Sequence, residues 1–144
     1  MRRYYPIFLD IEGKRCVVVG GGKVAKRKIK GLLRAKADVV VISPDLDEEL
    51  KKKVLWIERE YKNGDLNGSF IAIAATNNKE INQMVYNEAE NRGGLVNVGD
   101  SPNLCRFIVP SIIQKEDFTI AISSGGKNPS LAKKIRLKLE EALR

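Results

Sequence analysis

Three consecutive glycines, Gly20, Gly21 and Gly22, separate an apolar β-branched run from a basic helical pattern that opens at Lys23 and Val24. Gly20, Gly22 and Ala25 fit the spacing G-x-G-x-x-G/A. The physics of that spacing is specific. The first glycine permits a tight turn, the second lets the backbone approach a pyrophosphate, and the small third residue lets helix and strand pack closely. The helix N-terminus then faces the anion. A bare match is weak, but here it follows a buried strand and opens a helix, which favours a dinucleotide over a plain structural turn. One carboxylate, Asp100 in "NVGDSPNLCRFIVPS", follows the end of a strand-like run, where open α/β sheets place their ligands. An Asp-Ser-Pro turn also satisfies an Asx turn, so both readings of Asp100 stand. A second glycine turn, "ISSGGKNPSLA", precedes the last helical pattern and could hold an anion or simply open the helix. The chain has no histidine, which removes the commonest general base and metal ligand. No metal site is expected.

The dinucleotide reading needs a ribose partner about 20 residues after the glycines. That position is Ser43-Pro44-Asp45, where Ser43 or Asp45 could meet the adenosine ribose. No arginine stands there for a 2′-phosphate, so NAD is favoured over NADP. Ala74 to Thr76 would supply a small-residue strand end against which a cofactor lies; close packing accounts for Ala75 and Thr76 almost as well.

These residues must be held by a framework, and the pattern supplies one. Met1 to Asp10 reads as an extended lead-in and Glu12-Gly13 as a turn. "RCVVVG", "ADVVVIS", "VLWIERE", "SFIAIAAT" and "LVNVGD" read as five strands, the first two continuous enough to be buried on both faces. Helices are expected over Lys23–Lys36, in "DLDEELKKK" and in "KEINQMVYNEAENR", the last capped by Asn77 with Glu80 and ended by Gly93-Gly94. Strand alternating with helix predicts an α/β fold, a doubly wound parallel sheet. After Asp100 the rhythm changes to two strand-like runs around a charged turn, then a helix with Asn128 as cap and Pro129 at its first position. Its apolar stripe, Leu131, Ala132, Ile135, Leu139 and Ala142, needs something to pack against. Residues 1–112 are read as a Rossmann domain and 113–144 as a smaller appended region.

Length and composition suit one domain with a small appendage: 144 residues, 43% apolar, 31% charged. No apolar run reaches the roughly 20 residues of a membrane helix, and the N-terminus lacks a signal-peptide core. Cys16 and Cys105 stand alone, reading as buried apolar residues in a reducing compartment. A cytoplasmic protein without a membrane partner is expected. The net charge of +8 has three readings: a solvated lysine-rich surface, a polyanionic substrate, or nucleic acid. Aromatics are only 6% and no nucleic-acid module is visible, so nucleic acid is not favoured.

Taken in order, "PIFLDIEGKRCVVVGGGKVAKRK", "IAAT", "NVGDSPNLCRFIVPSII" and "ISSGGKNPSLAKKIRLKLE" resemble the precorrin-2 dehydrogenase/sirohydrochlorin ferrochelatase family, the dehydrogenase domain of sirohaem synthase. The resemblance covers nearly the whole chain, and its last two motifs are far more specific than the glycine fingerprint. It implies an NAD-binding Rossmann domain, a dimerisation region and hence a homodimer, and oxidation of precorrin-2 to sirohydrochlorin with NAD⁺. Bifunctional members then insert Fe²⁺; the sequence leaves that activity open. Carried over by motif, Gly20, Gly21, Gly22, Lys23 and Val24 form the cofactor turn, with Pro44 and Asp45 at the adenosine end. Asp100 matches the family's key catalytic aspartate. Asn97, Ser124 and Gly125 fall at the tetrapyrrole site, Ser124 matching a serine beside it. Arg106 departs from the pattern, standing where relatives often carry a smaller neutral residue. The chain also ends before the long C-terminal helical region that members often carry. Rival readings are a nucleotide-sensing Rossmann module without turnover, and an inactive scaffold subunit.

Overall fold

Residues Arg15–Val19 form strand β1 because a β-branched run has restricted χ1 freedom and packs well on a pleated surface. The structure, a computed structural model, describes residues 2–144. The extended reading for Met1 lies outside the described residues. Residues 2–10 carry no regular element, and the turn at Glu12-Gly13 precedes β1. From β1 the chain runs through α1 (Lys23–Arg34), β2 (Asp38–Ile42), α2 (Glu48–Lys51), β3 (Leu55–Ile57), β4 (Ile71–Ala74), α3 (Lys79–Asn91) and β5 (Leu95–Val98). A short 3₁₀ turn at Pro102–Leu104 leads to β6 (Ser111–Gln114), β7 (Thr119–Ile122) and α4 (Pro129–Ala142).

The first five strands form one parallel sheet in the order β3-β2-β1-β4-β5. This is the expected Rossmann-like sheet. The order moves outward from β1 and then returns to its other side, so right-handed crossovers place α1 and α3 on opposite faces. Val17, Val19, Val40, Ile42, Ala72, Ala74, Val96 and Val98 share one core with Val85 and Ala89 of α3. The alternate residues Cys16, Val18, Val39, Val41, Ile71 and Ile73 are also buried, as strand periodicity requires when both faces are covered. Burying each of the valine and isoleucine side chains contributes about 1.5–3 kcal/mol. Ala25, Ile29 and Leu32 form the buried stripe of α1.

Several local expectations shift by a residue or two. The α3 cap is Asn78 rather than Asn77: its side chain accepts from the amides of Glu80 and Ile81 at 2.9 and 3.3 Å. The reason is that Thr76 Oγ1 takes the Asn78 amide, which turns the Asn78 side chain onto the helix. Helix α2 is one turn, opened by Asp47 accepting from Glu49 N at 3.1 Å. Helix α1 stops at Arg34 because Lys36 takes a left-handed φ of 61°.

Two compact units emerge: residues 7–106, and residues 2–6 together with 107–144. The division lies ahead of residue 112, because strand β6 begins at Ser111 and pairs with β7 alone. In the smaller unit β6 and β7 are antiparallel, and α4 packs on both. Asn128 caps α4 by accepting from Leu131 N at 3.0 Å, with Pro129 next to it. Helix α4 buries only Ala132, leaving Leu131 and Ile135 exposed.

Candidate active site

The site in the larger unit begins where β1 and β4 end side by side, the point at which the strand order reverses. Such switch points form the ligand crevice of open α/β sheets. Gly20 has φ 126°, a region open only to glycine, and its amide donates to Ile42 O at 3.0 Å. A Cβ on Gly20 would lie 2.2 Å from Ala75 O, and one on Gly21 would lie 1.9 Å from Asp45 O. Gly22 differs: a Cβ there would meet nothing within 4 Å. The first two glycines are therefore demanded by packing, and the third faces open space.

Gly22 is also the N-cap of α1, without a side-chain capping bond and with no acidic residue in the first turn. The first bond of the helix is Lys26 N to Gly22 O, so the amides of Lys23, Val24 and Ala25 have no partner inside the helix. Unpartnered amides and the helix dipole together suit an anion. A groove of about 560 Å³ opens here, lined by the three glycines, Ser43 to Asp45, Ala75 to Asn78, Glu60, Tyr61 and Ile81. Its size falls in the ordinary range of about 300–1,000 Å³ for ligand pockets. The open cradle at Gly22 and this groove fit a dinucleotide with its pyrophosphate on the α1 N-terminus.

The structure places every expected cofactor residue except Lys23 and Val24 on the groove wall; these two supply amides at the helix start. Ser43 is buried, and its hydroxyl donates to Asp45 O at 2.7 Å, so it shapes the loop rather than standing open to a ribose. Trp56 Nε1 pins the same loop through Ser43 O at 2.9 Å. Asp45 is exposed at the rim. Thr76 Oγ1 and the Asn82 side-chain oxygen lie 2.6 Å apart, and Asn82 Nδ2 donates to Thr76 O at 3.2 Å.

Sequence reading missed Tyr61, Asn82 and Glu88. Tyr61 lines the groove, and its hydroxyl donates to the buried Glu88 carboxylate, which also accepts from Gly64 N and Leu66 N at 2.9 and 3.0 Å. Burial, helped by Glu88, pushes the Tyr61 phenol up, so it stays protonated. Asn82 and Glu88 occupy the buried stripe of α3 beside Val85 and Ala89. A polar residue on an apolar stripe was the available signal.

Asp100 follows β5, exposed, with φ 67°. A non-glycine residue in that region carries strain of the sort that gathers at functional sites. Its turn is over-determined: Gly99 N donates to Ala74 O at 2.9 Å and Ser101 N to Val98 O at 3.3 Å. Cys105 Sγ packs under it, 3.2 Å from Val98 O and 3.4 Å from Ser101 O. Glycine cradle and carboxylate thus share the carboxyl ends of one parallel sheet.

Asn97, expected at a substrate, is buried on β5. Its side-chain oxygen accepts from Lys28 Nζ and its Nδ2 donates to Cys105 Sγ at 3.7 Å. A residue one position before the strand end faces inward when the strand is covered on both sides. Arg106 forms a two-pronged pair with Glu90 of α3 at 2.6 and 2.7 Å, an external staple on the segment after β5. Its neighbour holds each group charged: Glu90 is lowered by Arg106, and Arg106 raised by Glu90. Burial pushes the Cys16 thiol up to about 11, so it is an inert core residue.

Ser124 and Gly125 belong to the smaller unit. Ser124 Oγ donates to Asn128 O at 2.8 Å and accepts from Asn128 N at 3.0 Å, closing its own turn. Gly125 and Gly126 have φ of 74° and 79°, so this turn needs glycine at both. The hydroxyl is thus engaged in the helix entry that the sequence also allowed.

Among the described residues, no helix is long and apolar enough to cross a membrane. The chain is 46% identical over 97% of its length to the siroheme synthase of Vesicomyosocius okutanii. It is equally 46% identical to that of Photobacterium profundum, and 43% to that of Nitrosococcus oceani over 96% of the chain. It spans about 31% of the length of each of these relatives. A solved structure titled "SirC, precorrin-2 dehydrogenase" superposes with a TM-score of 0.85 at 29% identity, covering 96% of this chain and 71% of that one. These similarities agree with the motif resemblance. The model of the family described as putative NAD(P)-binding matches residues 7–111, which take in the glycine cradle, the groove and Asp100, and the chain belongs to that family.

Proposed function

We propose that this chain oxidises precorrin-2 to sirohydrochlorin with NAD⁺, as a step in siroheme synthesis. The observation that carries the reading is a glycine cradle and a strained, exposed aspartate on the carboxyl ends of one parallel sheet. Relatives named siroheme synthase and a structural neighbour named precorrin-2 dehydrogenase support it over a nucleotide-sensing module. Bound NAD⁺ supplies the hydride acceptor. Gly22 and the α1 amides hold its pyrophosphate, and the Ala75–Asn78 segment, bolted by Asn82, forms a rigid wall. The Asp100 carboxylate accepts the proton that must leave the macrocycle along with the hydride. A positioned base of this kind is worth about 10²–10⁴ in rate.

NAD⁺ is preferred to NADP⁺ on this reading. Asp45 places a carboxylate at the groove rim, and Arg59 is committed to both oxygens of Asp65 at 2.8 and 2.9 Å. The lysine excess suits a polycarboxylate substrate. The protein acts in the cytoplasm, consistent with its free buried thiols. It acts as a homodimer, the second copy covering the exposed Leu131 and Ile135 of α4 and Ile112 of β6. Light scattering that gave a 16.1 kDa monomer at micromolar concentration would contradict the dimer.

The deciding experiment is anaerobic incubation with precorrin-2 and NAD⁺, following NADH absorbance and the tetrapyrrole spectrum. Stoichiometric NADH and sirohydrochlorin are expected. Tight nucleotide binding without turnover would overturn the assignment in favour of a sensing module or scaffold. Adding Fe²⁺ to the product mixture tests iron insertion.

A further inference from the structure

Lys28 is a lysine turned inward. It sits on α1 beside the buried Ile29 and brings its ammonium to the side-chain oxygen of Asn97 on β5. It takes part in none of the ion pairs among the described residues. A Cβ on Gly99 would stand 3.9 Å from Lys28 Nζ, so the ammonium lies against the backbone just before Asp100. Asn97 carries the connection onward by donating to Cys105 Sγ at 3.7 Å. That sulfur accepts from Val98 N at 3.3 Å and lies 3.4 Å from Ser101 O. Lys28, Asn97, Cys105 and the turn 98–101 are one network, and its exposed tip is Asp100 at φ 67°.

The cost of this arrangement points to a use. A half-buried ammonium without a carboxylate partner loses hydration that an apolar side chain of similar length would never have had. Burial is the largest influence on Lys28 and lowers its pKa; Cys105 and Asp100 pull it up and Arg27 pushes it further down. Of the charges on the elements around this turn, Arg27 is exposed on α1, and Arg106 is neutralised by Glu90 of α3. Lys28 is the cation that the network itself contains.

We propose that Lys28 is a positioning residue for Asp100: through Asn97 and Cys105 it holds the strained turn, and its ammonium lies against the Gly99 backbone, one residue before the carboxylate. This rests on the dehydrogenase reading given above. The hydride and proton steps are unchanged; Lys28 touches neither substrate nor cofactor.

The test compares Lys28→Met, which keeps the stem and removes the ammonium, with Lys28→Gln, which keeps an N–H donor without the charge, and Lys28→Arg, which keeps a charge. Wild-type turnover of precorrin-2 is measured first. For the Met and Gln variants, kcat should fall at least tenfold while KM for precorrin-2 and Kd for NAD⁺ stay within twofold; Lys28→Arg should recover part of the loss. A folded Lys28→Met enzyme with kcat within twofold of wild type would overturn the proposal. So would failure of both Met and Gln variants to fold, which would make Lys28 a plain structural residue.

A second readout needs no turnover. In the wild-type protein, nuclear magnetic resonance should show the amide signals of Gly99, Asp100 and Ser101 moving as Lys28 loses its proton. Amides that ignore that titration would overturn the proposal. If wild-type protein fails to oxidise precorrin-2, the functional reading falls, and this titration alone decides whether Lys28 governs the turn.

Discussion

Gly20 and Ala75 leave no room between them for a methyl group: a Cβ on the glycine would lie 2.2 Å from the Ala75 carbonyl oxygen. The contact locks the end of β1 to the end of β4 and makes the floor of the groove. Gly20→Ala combines that clash with a φ of 126°, so it should cost about 2–5 kcal/mol of stability by urea denaturation. Gly22→Asp should fold normally, since its Cβ meets nothing, yet lose at least about a hundredfold in NAD⁺ affinity by calorimetry through repulsion at the pyrophosphate. Equal stability losses in the two variants would remove the distinction between packing and ligand glycines.

Asp100 pits stability against activity. Asp100→Asn keeps the turn and removes the base, so turnover should drop about 10²–10⁴-fold, or about 3–5 kcal/mol in the barrier, with the melting temperature little changed. Asp100→Gly relieves the left-handed backbone at φ 67° and should be neutral to stabilising by up to about 1 kcal/mol, while equally inactive. Near-wild-type oxidation by Asp100→Asn would remove the carboxylate from the chemistry.

Glu88 holds the 58–69 loop from within α3. Glu88→Ala would leave Tyr61 OH and the amides of Gly64 and Leu66 without their acceptor, costing about 2–4 kcal/mol. Tyr61 lines the groove, so NAD⁺ affinity should weaken too. Glu88→Gln, which keeps one acceptor oxygen, should lose less on both counts. Denaturation and calorimetry on the same samples check the ranking.

The Arg59–Asp65 pair predicts part of the acid limb of stability. The Arg59 guanidinium, and after it the Lys62 amide, hold the Asp65 carboxyl below the usual carboxylate range against the opposing effect of burial. A depressed folded pKa stabilises the native state above the unfolded value of about 3.9 and loses that contribution as the pH falls through the folded value. Asp65→Asn should therefore be less stable than wild type at pH 6, with the gap closing below about pH 4. A gap that widened on acidification would reverse the sign and discard the pair as its source.

Much of the larger unit was legible in order along the chain. "RCVVV" and "DVVVI" declare strands covered on both faces because β-branched runs lack polar alternation, and the glycine spacing marks the turn, where Gly20 takes a φ of 126° that only glycine adopts. Those are short-range signals, carried by neighbours in sequence. The cap at Asn78 rather than Asn77 was missed by one position, because the choice between two adjacent asparagines depends on which amide Thr76 engages. For Asn97 and Ser124 the sequence did not show the partners inside the fold: Lys28, 69 residues away, for the first, and the closure of its own turn for the second. Glu88, Tyr61 and Asn82 gave only the faint signal of polar residues at buried positions. What a polar side chain does is set by the donors and acceptors that strand register and helix packing bring to it. Periodicity reports which residues turn inward, but only the folded sheet decides which of them meet.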